Sequence, residues 1–115
     1  MVALLAPRAN LWIECGGQVV LSRWRVELLQ AIEDTGSISA AAQRMKVEYQ
    51  RAWQKLAEME KGLGVALVER RTGGVGGGGA RLTAAGQDYV ARFGRFAAGV
   101  DDVIARQFDQ AFGGG

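Results

Sequence analysis

SISAAAQRMKVEYQRAWQKLAEMEKGLG, residues 37–64, is the stretch that decides the fold of this 115-residue chain. Ser39 stands where it can cap a short alanine-rich helix, residues 46–47 interrupt that helix, and a longer one is predicted over about residues 48–61. Two helices that cross closely need small residues at their contact, here the alanines at 41–42. The stretch therefore predicts a helix-turn-helix over about residues 37–63.

The longer helix has two chemically different faces. Ala52, Leu56, Met59 and Leu63 follow 4-3-4 spacing and form a stripe that is expected to be buried. The other side carries side chains suited to DNA, since glutamine pairs bidentately with adenine, arginine with guanine or phosphate, and an aromatic edge meets the thymine methyl. The predicted DNA-binding residues of the helix-turn-helix are Ser37, Ser39, Tyr49, Gln50, Arg51, Trp53, Gln54 and Lys55. An ordinary solvated helix face is the alternative that these residues leave open.

Glycine dominates the following stretch, VERRTGGVGGGGARLTAAG, residues 68–86. A phosphate-binding loop, a flexible linker and the tip of a β-hairpin all fit its composition. Gly74, Gly76 and Gly79 match G-x-G-x-x-G, but a dinucleotide site needs its glycines to open a helix directly after a strand, and here a second strand intervenes. The other phosphate loop fails because Gly79 and Ala80 stand where Lys and Ser or Thr are required.

A hairpin over about residues 67–82 is therefore predicted, and a hairpin after a helix-turn-helix is a wing. Its glycines make a thin tip that can approach a sugar-phosphate backbone, and its arginines can neutralise phosphates. The predicted DNA-binding residues of the wing are Arg70, Arg71, Thr72, Gly76, Gly77, Gly78 and Arg81.

The segments on either side complete a single domain. Gly16-Gly17 predicts a two-residue turn in an N-terminal hairpin over about residues 10–21. A first helix is predicted between an N-cap at Ser22 and a stop at Gly36. Met45 and Val47 are expected to plug the corner of the helix-turn-helix.

A last helix is predicted over about residues 83–111 and is longer than globular helices usually are. Its apolar residues recur with a heptad rhythm, which favours a seam shared with a second copy of the chain. The predicted dimerisation residues are Tyr89, Phe93, Phe96, Val100, Val103, Ile104 and Phe108. Packing of this stripe wholly on its own domain is the alternative. The predicted fold class is thus mainly α with a small β-hairpin wing. The winged helix-turn-helix occupies 1–82, and the long dimerisation helix with a glycine tail, part of the same domain, occupies 83–115.

The distribution of charge along the chain, rather than the net charge, supports a nucleic-acid partner. The chain has 14 Lys and Arg against 12 Asp and Glu, a net charge of only +2. Residues 37–82 hold eight basic and four acidic residues, whereas each flank holds three basic and four acidic ones. The positive charge is concentrated in the middle third, where the helix-turn-helix and the wing are predicted.

Several classes of function are excluded by composition. The chain has one cysteine, Cys15, and no histidine, so an intramolecular disulfide, Cys/His zinc sites and Ser/His or Cys/His catalytic pairs are absent. We expect no enzyme, no metal and no cofactor, and a cytoplasmic location. The opening MVALLAP has no basic start and is too short for a signal sequence, and no stretch approaches the ~20 apolar residues of a membrane span.

The sequence resembles the N-terminal DNA-binding domain of the ModE family of molybdate-responsive transcriptional regulators, which is itself similar to the winged domain of LysR-type regulators. The shared words are GSIS at 36–39, Y..AW at 49–53, LVER.TGG.GGGGA.LT..G at 67–86, and the long helix that follows. The similarity covers roughly residues 19–110.

This resemblance implies a homodimer that binds double-stranded DNA at a pseudo-palindromic operator, with the longer helix of the helix-turn-helix in the major groove and the wing on the flanking backbone. In that family a molybdate-binding domain follows, whereas this sequence stops at AFGGG, so we expect molybdate not to bind this chain alone. Glu48 departs from the family by replacing a small polar residue, and its carboxylate could cap amides, accept from cytosine or repel phosphate. A winged-helix module that binds protein, and a nucleotide-dependent enzyme, are the rival hypotheses.

Overall fold

A computed structural model describes residues 4–71 and 79–113. The elements of these residues are two hairpins and four helices. In chain order they are β1 (Trp12–Cys15), β2 (Gln18–Ser22), α1 (Arg23–Thr35), α2 (Ile38–Met45), α3 (Tyr49–Leu63), β3 (Val68–Arg71), β4 (Gly79–Leu82) and α4 (Ala84–Phe112). The predicted fold class is confirmed: helices α2 and α3 form the helix-turn-helix, and the β3–β4 hairpin follows it.

Side-chain caps and left-handed residues set the helix boundaries. The Ser22 hydroxyl accepts a hydrogen bond from the Arg25 amide and caps α1, as predicted, and Gly36 ends that helix at φ 79°. The prediction that Ser39 caps α2 is wrong, because the Ser37 hydroxyl accepts from the Ala40 amide and Ser39 lies inside the helix. Glu48 precedes α3 without a side-chain capping bond, so the capping alternative for its carboxylate is not seen.

The core is built around α1. Leu28, Leu29 and Ile32 are fully buried there, against the small residues of α2 and the predicted stripe of α3. Ala52, Leu56 and Met59 of that stripe are fully buried, whereas Leu63 is only partly buried at the helix end. The helix-turn-helix thus presents its remaining α3 surface outward. Met45 and Val47 lie at the corner between α2 and α3, as predicted. Their side chains are partly buried and pack against the same core.

Backbone amides in and beside the β3–β4 hairpin donate hydrogen bonds that attach it to the helices. The Ala80 amide donates to the Gly36 carbonyl at 2.8 Å, which joins β4 to the end of α1. The Glu60 carboxylate on α3 accepts from the amides of Leu67 and Val68 at 2.8 and 3.3 Å. Because buried amides need acceptors, these bonds fix where the hairpin lies.

Glycines allow two close approaches between elements. A Cβ at Gly62 would collide with a methyl group of Val20, so the absence of a side chain lets β2 lie directly on α3. A Cβ at Gly86 would collide with the Leu67 carbonyl oxygen, so α4 starts against the base of the second hairpin. In the N-terminal hairpin, Gly16 and Gly17 both adopt positive φ, as the predicted two-residue turn requires.

The α4 helix begins at the Thr83 cap and continues for 29 residues, which gives the molecule a longest dimension of 62 Å. Its first half packs on the domain through Phe93 and Ala97. An ion pair between Arg23 and Asp101, at 2.8 Å, ties the next turn to the start of α1. Across residues 4–71 and 79–113, no helix has the length and apolarity to cross a membrane.

Candidate nucleic-acid interface

One stripe of α3 points directly away from the core. Gln50 and Gln54 are exposed on it, and Ala57 and Lys61 continue it at the same 4-3-4 spacing as the buried stripe on the opposite side. The sequence prediction named the two glutamines but not Ala57 and Lys61, which share their exposed stripe. Extending the periodicity by two turns would have found both.

A flank of α3 faces the second hairpin and is aromatic. The rings of Tyr49 and Trp53 meet edge to face, with centroids 6.0 Å apart. The guanidinium carbon of Arg70, on β3, lies 3.8 Å from the centroid of the Trp53 ring. Tyr49 is half exposed, while Trp53 is partly buried against the core. The hairpin and α3 are therefore joined by a cation–π contact next to an edge-to-face aromatic pair.

The start of α2, the start of α3 and the second hairpin surround an open depression of about 220 Å³. It brings together residues predicted separately from the helix-turn-helix and from the wing. Its lining residues are Ser37, Ile38, Ser39, Tyr49, Trp53, Arg70, Arg71, Gly79 and Ala80. The helix-turn-helix and the hairpin thus both contribute walls to the depression, and Arg70 and Arg71 are among the lining residues.

The opposite flank of α3 is occupied by ion pairs. Glu58 accepts from Arg25 at 2.8 Å and lies 3.6 Å from the Lys55 ammonium. The hydrogen bond from Arg25 is the main cause that lowers the pKa of the Glu58 carboxyl; burial opposes it, and the nearby Lys55 charge lowers the pKa further. Lys55 therefore lies next to an intramolecular ion pair and is only partly exposed, on a different side of α3 from Gln50 and Gln54. Arg51 on the same helix is exposed.

The register of the second hairpin separates its arginines. Arg70 pairs with Ala80 and Glu69 pairs with Arg81, and directly opposed residues share a face of the sheet. Arg70 is therefore on the face that includes buried Ala80, and Arg81 is on the other face, where it forms an exposed ion pair with Glu69 at 3.2 Å. Arg71 is exposed at the end of β3. The other predicted wing residues, Thr72, Gly76, Gly77 and Gly78, lie outside the described residues.

A further ion pair joins α2 of the helix-turn-helix to α1. Arg44 on α2 donates to Asp34 on α1 at 3.0 Å, and Gln30 donates to the same carboxylate. The Gln30 hydrogen bond and then the Arg44 bond lower the pKa of the Asp34 carboxyl. Both members of the pair are about half exposed, so the charge of Arg44 stays close to solvent on the helix that precedes α3.

The predicted dimerisation residues of α4 divide into two groups. Phe93 is buried and Tyr89 partly buried against the domain's own core. Farther along, Phe96 and Val103 are 44% and 46% exposed. The remaining predicted members are partly buried: Val100, Ile104 and Phe108. The first turns of the stripe thus belong to the domain, and the exposed apolar surface starts at Phe96.

Among the described residues, acidic and cysteine side chains form no group able to hold a metal ion. Cys15 is exposed and unpaired on β1. The features that the structure does assemble are an outward stripe of polar α3 residues, a basic hairpin beside it and a depression between them.

These features define a winged helix-turn-helix with a polar and basic outer face. The chain belongs to the bacterial regulatory helix-turn-helix proteins of the lysR family, whose family pattern matches residues 24–87. The resemblance to ModE-type regulators is confirmed by individual relatives. The chain is 41% identical over 98 residues to the molybdenum-pterin-binding protein MopB of Rhodobacter capsulatus. It is 46% identical over 66 residues to the DNA-binding transcriptional dual regulator ModE of Escherichia coli K12.

These relatives are longer proteins. The similarity to MopB covers 79% of this chain and 36% of that protein, and the similarity to ModE covers 57% and 25%. Among solved structures, the CbnR DNA-binding domain in complex with DNA aligns with a TM-score of 0.62 at 26% identity, over 76% of this chain and 94% of that one. ArgP from Mycobacterium tuberculosis aligns with a TM-score of 0.55 at 25% identity, over 73% of this chain and 30% of that one.

Proposed function

We propose that this chain binds double-stranded DNA in a sequence-specific manner as part of a ModE-type transcriptional regulator in the cytoplasm, without enzymatic activity. The observation that carries the proposal is the outward stripe of α3, which presents Gln50 and Gln54 on successive turns with Arg51 exposed beside them. Similarity to the CbnR DNA-binding domain, solved with DNA, supports the same function.

In this proposal α3 is the recognition helix and enters the major groove. Gln50 and Gln54 each present a carboxamide whose oxygen and NH₂ group can pair with the two polar atoms of an adenine edge. Arg51 reaches a guanine or a phosphate. The second hairpin contacts the flanking backbone through Arg70 and Arg71, because phosphate contacts fix position and base contacts specify sequence.

Equilibrium binding to a selected DNA site and to random DNA tests this function. Gln50→Ala and Gln54→Ala should each cost about 1–3 kcal/mol on the preferred site and much less on random DNA, because only base contacts discriminate sequences. Gln87→Ala, at an exposed position of α4 on the side away from the apolar stripe, is the matched control and should leave both affinities unchanged. Equal losses on both DNAs from the α3 variants would refute base reading by α3. A wild-type chain without salt-dependent binding would refute the function.

We further propose that the chain acts as a homodimer through the exposed part of α4. Phe96 and Val103 support this, because apolar side chains at heptad spacing on a projecting helix gain stability by meeting a second copy. A two-fold axis would also match two half-sites on DNA.

Light scattering at micromolar concentration tests the dimer. Val103→Asp places a charge on the apolar stripe and should shift the mass to that of the monomer. Ala98→Asp introduces the same charge at an exposed position on the other side of α4 and should leave the dimer intact. Point variants are preferable to truncation before Phe93, because loss of that buried ring would damage the domain itself. A monomer mass for the wild-type chain would overturn the proposal.

A further inference from the structure

We propose that Trp53 is a positioning residue for DNA binding: its indole ring holds the Arg70 side chain in place for a backbone phosphate, and it does not read a base. This inference rests on the proposed DNA-binding function and assigns a role to one residue that the sequence placed among the base readers. It makes the recognition helix and the second hairpin one coupled surface.

The surroundings of Trp53 leave little of its ring for a base. Arg70 covers one face of the indole at 3.8 Å, and the Tyr49 ring meets it edge to face at 6.0 Å. The side chain also packs against the core, in contrast to the exposed Gln50 and Gln54 on the neighbouring stripe. Trp53 therefore lies on the flank of α3 rather than on the surface that faces a major groove.

The arginine over the ring keeps hydrogen-bonding capacity. Its guanidinium carbon lies over the indole, and a guanidinium carries five N–H donors, so donors that are not directed at the ring remain able to bind a phosphate. Within the described residues no ion pair involves Arg70, whereas Arg81 on the opposite face of the hairpin is paired with Glu69. The Trp53 ring therefore holds the Arg70 guanidinium, and no acidic side chain of the described residues neutralises its charge.

The position of the hairpin makes this contact possible. Glu60 lies seven residues after Trp53 on the same flank of α3 and holds the amides of Leu67 and Val68. Seven helical residues span about 10 Å, as do three residues of strand, so β3 runs beside α3 and brings Arg70 to Trp53. The Ala80 amide also holds the hairpin through Gly36. Loss of the indole would accordingly release the arginine side chain rather than the hairpin backbone.

A double-mutant cycle in DNA affinity tests the coupling. Arg70→Gln should weaken binding to preferred and random DNA alike and reduce the salt slope by about one unit. Trp53→Leu should weaken binding to both DNAs by about threefold to tenfold, because an unrestrained arginine loses side-chain freedom on binding. In the Trp53→Leu background, Arg70→Gln should cost several-fold less than in the wild-type chain.

Arg81→Gln is the matched control, since it removes the same charge from the opposite face of the same hairpin. Its cost should be equal in the wild-type and Trp53→Leu backgrounds. Trp53→Phe should retain most of the affinity and most of the cost of Arg70→Gln, because a phenyl ring still carries a guanidinium. If Trp53→Leu fails to fold as judged by circular dichroism, Trp53→Met, which also has no ring, takes its place in the cycle.

Two results would overturn the inference. One is a loss from Trp53→Leu, or from Trp53→Phe, that is confined to the preferred site, since that pattern marks a base-reading residue. The other is an unchanged cost of Arg70→Gln in the background that has no aromatic ring at position 53. Either result leaves the proposed function standing if the wild-type chain binds DNA in a salt-dependent way. A wild-type chain without such binding refutes the function and the inference together.

Discussion

Gly86 and Gly94 lie on the same helix, and replacing each with alanine should change stability in opposite directions. Alanine favours a helix interior over glycine by about 1 kcal/mol. Nothing lies within 4 Å of a Cβ built at Gly94, so Gly94→Ala should stabilise the fold by roughly 0.5–1 kcal/mol. At Gly86 the added Cβ collides with the Leu67 carbonyl oxygen and lies 3.2 Å from the carbonyl carbon and 3.3 Å from the Leu82 Cβ.

The atoms around Gly86 have little freedom to move. Leu67 is fully buried, its carbonyl accepts from the Thr83 amide at 2.9 Å, and its own amide donates to Glu60. Overpacking against such a site costs about 1–3 kcal/mol or more. After the gain in helix propensity, Gly86→Ala should lower the free energy of unfolding by about 1–2 kcal/mol.

Urea unfolding followed by circular dichroism measures both variants, at one fixed protein concentration because self-association adds to apparent stability. The expected gap between the two variants is about 2 kcal/mol in total. Equal stabilities for Gly86→Ala and Gly94→Ala would refute the close packing of α4 on the base of the second hairpin.

Three other predictions concern stability. Glu60→Ala leaves two amides at the start of β3 without their acceptor and should cost about 1–3 kcal/mol, measured by urea unfolding, whereas Glu69→Ala on the exposed face of β3 should cost far less. Lys46 ends α2 at φ 59°, so Lys46→Gly should raise the thermal midpoint, and a lower midpoint would contradict the left-handed assignment. The pKa values of the Asp34 and Glu58 carboxyls are lowered in the folded chain. The stability that these two carboxylates contribute is therefore present at pH values above their ordinary pKa values and is lost as the pH falls below about 4.5. Denaturation midpoints from pH 7 to pH 3 should fall less steeply for the Asp34→Asn, Glu58→Gln double variant than for the wild-type chain, and equal slopes would contradict the lowered pKa values.

Local signals in the sequence determined the elements and their order. Ser22 and Gly36 set the two ends of α1, because a capping hydroxyl and a left-handed glycine act within one helical turn. The buried stripe of α3 followed from periodicity, and with it the outward position of Gln50 and Gln54. The base-reading candidates were accessible to sequence analysis for this reason, although their contacts with DNA remain a prediction.

Choices between equivalent local signals required the tertiary structure. Ser37 and Ser39 offer the same capping hydroxyl two residues apart, and the structure selects Ser37 because Gly36 immediately before it ends α1 and turns the chain. The heptad rhythm of α4 is equally satisfied by a partner helix or by the domain itself. Burial of Phe93 against the core, with Phe96 exposed one turn later, divides a stripe that is continuous in the sequence.

The position of the second hairpin relative to α3 could not be derived from the sequence. Arg70 and Arg81 are the same residue type and carry the same charge. The cross-strand register places Arg70 on the face of the hairpin next to Trp53 and Arg81 on the face that includes Glu69. Lys55 and Arg51 occupy successive turns of α3, yet only Lys55 lies beside the Glu58 and Arg25 pair. Local propensity is set by neighbours in the chain, whereas a side chain's partner is set by elements that packing brings together, and only the folded chain contains that information.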